Sequence, residues 1–179
     1  MDTDTYLAES ARTASTLFRT DVVGLGTLTQ ALEDAVALGR RVDQVKKGLF
    51  YGKPPKDTDL AGGDDGQLPE SVPADLVHAA LGIYTEAVEV FEALLRAMAG
   101  GALDRTNLLE EVGDMEWYLA MAYRTLGAHP DAVRQINIDK LRRRFPEKFT
   151  EDAAIDRDAA GERRLLDQGV LSLQTGKPT

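Results

Sequence analysis

The sequence predicts an all-α protein. Apolar residues in the long segments recur at intervals of three and four, the spacing that lines one face of a helix. No segment alternates with the period of two that a half-buried strand requires. Proline clusters between the periodic segments, where it ends helices or starts them.

The N-terminal turns around Tyr6, Leu7, Ala14, Leu17 and Phe18 read as a short first helix, and Gly24 and Gly26 mark the break after it. Leu28, Leu32, Val36, Val42, Val45 and Leu49 then predict a second helix ending near residue 49. Residues 51–73 hold Pro54, Pro55, Gly62, Gly63, Pro69 and Pro73 and read as a surface loop. A third helix follows Pro73 and stops at Gly100-Gly101; its apolar stripe includes Leu76, Leu81, Tyr84, Val88, Phe91 and Leu95. A fourth covers 106–126, with Leu109, Val112, Met115, Leu119, Ala122, Tyr123 and Leu126 expected on its core side. Pro130 opens a fifth, which ends before Pro146. Thr150 is placed to cap a short turn, and a last helix is expected over 159–168. The expected organisation is one domain over residues 1–168 and a flexible tail over 169–179.

Composition narrows the chemistry. A formal charge of −9 repels nucleic-acid backbones, so DNA or RNA binding is not expected, although a single nucleotide with metal ions is compatible. The chain has no cysteine, which excludes disulfides, zinc–thiolate centres and thiol nucleophiles. No apolar run approaches the roughly 18 residues of a membrane span, and residues 1–9 are polar and acidic, unlike a signal peptide. A cytoplasmic protein with no membrane partner is the expectation.

Two predicted helices carry carboxylates three residues apart: Glu86 and Glu89 in one, Glu111 and Asp114, with Glu110 adjacent, in the next. Residues three apart on a helix are neighbours, and like charges there repel. With 30 acidic residues in the chain, chance alone gives roughly five such pairs, so one pair by itself reads as a solvated face. Two pairs on consecutive apolar helices are different. Packed side by side, they converge four carboxylates that need a cation or must protonate. Oxygen-only ligands suit Mg²⁺ or Mn²⁺. Gly82 and Gly113, costly inside helices, suggest close helix approach or room for a ligand.

The run Gly82-Ile83-Tyr84-Thr85-Glu86-Ala87-Val88-Glu89, followed by 107–119 with Glu110-Glu111-Val112-Gly113-Asp114, resembles the MazG-like all-α nucleoside triphosphate pyrophosphohydrolases. Residues 137–149, from Asn137 through Lys140 to Phe149, are similar to the segment after the metal helices in phage-type members; 154–162, containing Arg157-Asp158, continues the likeness. So do Tyr6 and Ala11-Arg12-Thr13-Ala14 at the start. The resemblance covers about half the chain. It implies a four-helix core with extra N-terminal helices and a C-terminal helix, and a homodimer or homotetramer. It also implies Mg²⁺, with Mn²⁺ possible, held by Glu86, Glu89, Glu111 and Asp114. The reaction implied is cleavage of a (deoxy)nucleoside triphosphate to monophosphate and pyrophosphate, on deoxynucleotides such as dGTP or dUTP in nucleotide-pool control. For a phage-encoded chain the compartment would be the host cytoplasm.

Within that expectation Glu110 is an outer group or a base, and its bland reading is a surface glutamate. Asn137 and Lys140 are expected near the phosphates. Arg143, Arg144 and Arg157 are further candidates to gather the leaving pyrophosphate, because guanidinium groups form charge-assisted bonds to phosphate. Arg143 and Arg144 also fit an ordinary basic face at a helix C-terminus. Trp117, Tyr118 and His78 read as packing residues, and His129 as a cap or surface residue. Two features depart from the family pattern. Residues 20–73 look like an insertion, and it contains Lys46-Lys47-Gly48-Leu49-Phe50-Tyr51-Gly52-Lys53, a stretch more at home between the metal helices. Val88 and Val90 make the first motif less regular. No Ser-His-Asp set or glycine-rich phosphate loop supports another chemistry. A di-iron bundle would need Glu-x-x-His motifs that the sequence lacks. The competing reading is a non-enzymatic helical interaction module with solvated acidic pairs.

Overall fold

A computed structural model describes Met1 to Thr175. Seven helices and no strand are present among these residues: α1 (Thr3–Thr13), α2 (Leu25–Tyr51), α3 (Ala74–Met98), α4 (Arg105–Leu126), α5 (Pro130–Arg144), α6 (Glu151–Ile155) and α7 (Ala159–Thr175). The all-α expectation therefore holds. None of these helices is long and apolar enough to cross a membrane.

Local chemistry sets the helix ends. Asp2 caps α1 by accepting from the Thr5 amide at 2.9 Å, and Thr150 caps α6 through the Ala153 amide at 3.3 Å. His129 caps α5, its Nδ1 accepting from the Asp131 amide at 3.3 Å, with Pro130 following in the first turn. Gly52 ends α2 with φ 66°, a left-handed conformation that glycine adopts without the cost of a Cβ. The last helix departs from expectation: α7 continues past Gln168 to Thr175, so residues 169–175 are helical. The rest of the expected tail, 176–179, lies outside the described residues.

The chain divides into two compact units. The larger, Arg19–Leu126, contains α2, α3 and α4, with α3 packed against both neighbours. Close approach is built into it. A Cβ at Gly39 would come within 2.6 Å of the Val88 side chain, and one at Gly82 would collide with the Tyr118 ring. Gly82 thus serves the close helix approach its cost suggested, whereas a Cβ at Gly113 would meet nothing within 4 Å. The smaller unit joins Met1–Phe18 to the described residues from Gly127 and packs α5 against α1 and α7. Ile138 is fully buried there. Arg12 Nη1 donates to the carbonyls of Phe145 and Glu147 at 3.0 and 2.7 Å, holding the chain that leaves α5.

One expectation needs correction. The predicted core side of α4 is largely exposed: Leu109 is 69% exposed and Leu126 63%, and Val112 and Leu119 are exposed too. Its buried positions are Glu111, Tyr118 and Met121. The face that meets α3 is the one bearing the carboxylate and the tyrosine, so apolar periodicity named the wrong side.

Candidate metal centre

Glu86 and Glu89 stand on successive turns of α3, and Glu111 stands on α4, which packs alongside. One oxygen from each of the three lies within 4.8 Å of the others. Glu86 and Glu111 are buried and Glu89 is exposed. The fourth expected ligand, Asp114, is exposed and falls outside this group; its charge acts on Tyr118 instead. Glu110 is exposed and its charge helps to raise the pKa of Glu111.

Crowding of like charge changes proton affinity. Burial, then the charge of Glu89, pushes the Glu111 carboxyl up to about 7, against an opposing hydrogen bond from Asn107. That bond runs from Asn107 Nδ2 to Glu111 Oε1 at 2.5 Å, and Arg96 Nη2 holds Asn107 Oδ1 at 3.3 Å. Glu89 is also raised, first by burial and then by Glu86 and Asp43. A group of oxygens that resists simultaneous ionisation is what a hard divalent cation relieves. The donor set fits Mg²⁺ or Mn²⁺ and offers no nitrogen or sulfur for softer metals.

Helix α2 completes the surroundings. Lys46 is only 4% exposed, and its Nζ donates to Thr85 Oγ1 at 2.7 Å and Glu86 Oε1 at 3.2 Å. Asp43 Oδ1 lies 3.5 Å away from it, and the other Asp43 oxygen pairs with Lys47 at 2.5 Å. The chain after α2 is folded back by Gln44, whose Oε1 accepts from the amides of Lys56 and Asp57 at 2.8 and 3.0 Å. This fold-back creates a cavity of about 250 Å³ lined by Asp43, Gln44, Lys47, Lys53, Pro54 and Lys56. Residues the sequence left open thus border the carboxylates, and Asp43, Thr85 and Asn107 were not foreseen. The spacing Asp43-x-x-Lys46-Lys47 on one helical face was the available signal.

An aromatic layer lies beside Lys46. Its Nζ sits 5.2 Å from the Tyr118 ring centroid. Phe50 stacks on His78 with centroids 4.0 Å apart, and Tyr51 Oη lies 3.4 Å from both His78 Nε2 and Tyr118 Oη. Burial, then Lys46, holds the His78 imidazole below its usual pKa, in keeping with its expected packing role. Trp117 departs from its expected core role and is 55% exposed.

The remaining expected residues, Asn137, Lys140, Arg144 and Arg157, belong to the smaller unit. Arg144 and Arg157 are engaged there. Arg144 grips Glu162 through two bonds of 2.7 and 2.5 Å, and Arg157 adds a third at 2.9 Å. Arg144 is therefore part of a shielded ion pair and not a solvated basic face. The pair holds the Glu162 carboxyl down at about 2. Arg143 pairs with Asp158 at 2.6 Å.

Comparison of the chain with protein-family models, with curated proteins and with solved structures finds no match.

Proposed function

We propose that the chain is a divalent-metal-dependent nucleoside triphosphate pyrophosphohydrolase, the activity its resemblance to MazG-like enzymes implies. The observation that carries the reading is the meeting of Glu86, Glu89 and Glu111 oxygens within 4.8 Å, on two packed helices. These three would hold Mg²⁺ or Mn²⁺. Bound there, the ion supplies charge neutralisation at phosphate and a water of lowered pKa.

The chain's own residues do the rest. Asn107 fixes Glu111 in place, and Lys46 fixes Glu86. Lys47, Lys53 and Lys56 line the adjoining cavity, and three ammonium groups suit a polyphosphate, which carries charge on every unit. Asp43 lies on the cavity wall and within ion-pair distance of Lys46, which links the lysine cavity to the carboxylates. The products are a (deoxy)nucleoside monophosphate and pyrophosphate. The phosphate role now rests on these lysines more than on Arg144 and Arg157, which Glu162 engages. A homodimer or homotetramer is part of the proposal, and light scattering should return a mass of two or four chains.

The test is a panel of canonical and modified NTPs and dNTPs with Mg²⁺ and Mn²⁺, separating monophosphate from diphosphate products. Monophosphate with pyrophosphate supports the reading. The exposed apolar residues of α4, Leu109, Val112, Leu119 and Leu126, favour a second reading, a helical interaction module. No turnover of any nucleotide, with thermal stability indifferent to Mg²⁺, would support the module and end the enzyme reading.

A further inference from the structure

Lys46 is an unusual neighbour for a metal centre. An ammonium at 4% exposure is tolerated only when it is paired and hydrogen-bonded. Its anchorage is specific. The Thr85 hydroxyl donates to the Gly82 carbonyl at 2.9 Å, which leaves its oxygen free to accept from Lys46 Nζ at 2.7 Å. A second Nζ proton goes to Glu86 Oε1 at 3.2 Å, and Asp43 Oδ1 lies 3.5 Å away. The Tyr118 ring lies alongside at 5.2 Å, a placement that favours a cation. The ammonium thus sits between two carboxylates of different helices, as a bridging metal ion would.

Charge balance leads to the same place. Asp43, Glu86, Glu89 and Glu111 present four carboxylates, and Lys46 and Lys47 return two ammoniums. Of the other charges felt by the cluster, Glu92 is paired with Arg40 at 3.1 Å, and Glu110 is exposed. With all four carboxylates ionised, two negative charges remain, the charge of one divalent cation. Two-metal sites hold their ions roughly 3.5–4 Å apart with carboxylates shared between them. Glu86 Oε1 is already engaged by Nζ.

We infer that Lys46 is a built-in cation of this centre, holding Glu86 where a second metal ion would otherwise bind, so that the nucleotide-free chain loads one divalent ion on Glu86, Glu89 and Glu111. This rests on the metal-dependent reading above. Lys46 is in this sense a positioning residue.

The test is Mn²⁺ titration of the full chain without nucleotide, counting bound metal by elemental analysis and recording electron paramagnetic resonance. Wild type should bind one Mn²⁺ per chain with the resolved six-line signal of an isolated ion. Lys46→Met should bind two, with the broadened signal of neighbouring spins, and Lys46→Arg should again bind one. Two coupled ions on wild type would overturn the inference and leave the metal-dependent reading standing. A folded Lys46→Met that binds only one ion would also overturn it. No bound Mn²⁺ on wild type would sink the metal-dependent reading itself. If Lys46→Met does not fold, the wild-type count and Lys46→Gln decide.

Discussion

Asn107 Nδ2 donates to Glu111 Oε1 at 2.5 Å across one turn of α4. The bond orients a buried carboxylate toward α3 and ties the metal-binding reading to a residue that can be changed separately. Glu111→Gln should abolish turnover, a loss beyond the 10–100-fold that outer-shell partners cost. Steady-state kinetics and circular dichroism together check this: activity should vanish while helix content stays. Asn107→Ala should weaken Mn²⁺ binding by about 10–100-fold and leave oligomeric mass unchanged.

The raised proton affinity of Glu111 sets a pH dependence. Its pKa is 4.5 in the reference state and about 7 in the fold. Between those values the folded chain holds the extra proton, so metal-free stability falls as pH rises through this window and levels off above about 7. The melting temperature without metal should drop by about 2–4 °C for each kcal/mol lost. Mg²⁺ added at pH 8 should restore it, while at pH 5 it should restore little, since protons compete for the same oxygens. A metal-free melting profile flat from pH 5 to 8 would count against this.

Two helical glycines should respond in opposite directions. Gly82→Ala drives a methyl into the Tyr118 ring and should destabilise by about 1–3 kcal/mol. Gly113→Ala meets nothing within 4 Å and should stabilise by about 0.5–1 kcal/mol, the gain of alanine over glycine in a helix. Urea denaturation of both variants measures the contrast.

Glu162 gathers Arg144 and Arg157 in the smaller unit. Its pKa is lowered to about 2, so the stability it contributes is present above pH 4.5 and is lost as pH falls toward 2. Glu162→Gln should cost about 1.5–3 kcal/mol at pH 7, the range for hydrogen bonds to charged groups. That cost should shrink on acidification, and the variant should leave Mn²⁺ binding unchanged. A comparable loss at pH 3 would contradict the assignment.

Lys53 and Lys56 line the cavity beside Asp43. Replacing both with alanine should raise KM for a triphosphate by about tenfold or more, each lost charge-assisted bond being worth about 1.5–3 kcal/mol. Mn²⁺ stoichiometry should not change. Unaltered KM would move phosphate binding elsewhere.

Much of the fold could be read locally. Helix ends at Pro73 and Pro130, and the caps Thr150 and His129, follow from the chemistry of residues within a few positions of each other. The pairs at Glu86 and Glu89, and at Glu111, were visible because two helices repeat an acidic spacing inside apolar stretches. Asp114 was not separable from them, since a spacing of three places residues on roughly one face without saying which of them turns inward. The same limit misplaced the buried side of α4, where Leu109 and Leu126 are exposed while Glu111 is covered.

The sequence by itself determined that the chain is helical, where most helices begin and end, and that Glu86, Glu89 and Glu111 were candidates to converge. Only the tertiary structure decided that α2 belongs to the carboxylate cluster, that Lys46 reaches Glu86, and that α5 packs in a separate unit. The reason is physical. Helix formation and capping are set by neighbours in sequence, whereas burial of an ammonium beside carboxylates depends on which faces of α2, α3 and α4 meet. That meeting is fixed by contacts such as Gly39 with Val88 and Gly82 with Tyr118, between residues 49 and 36 positions apart, and no local pattern records them.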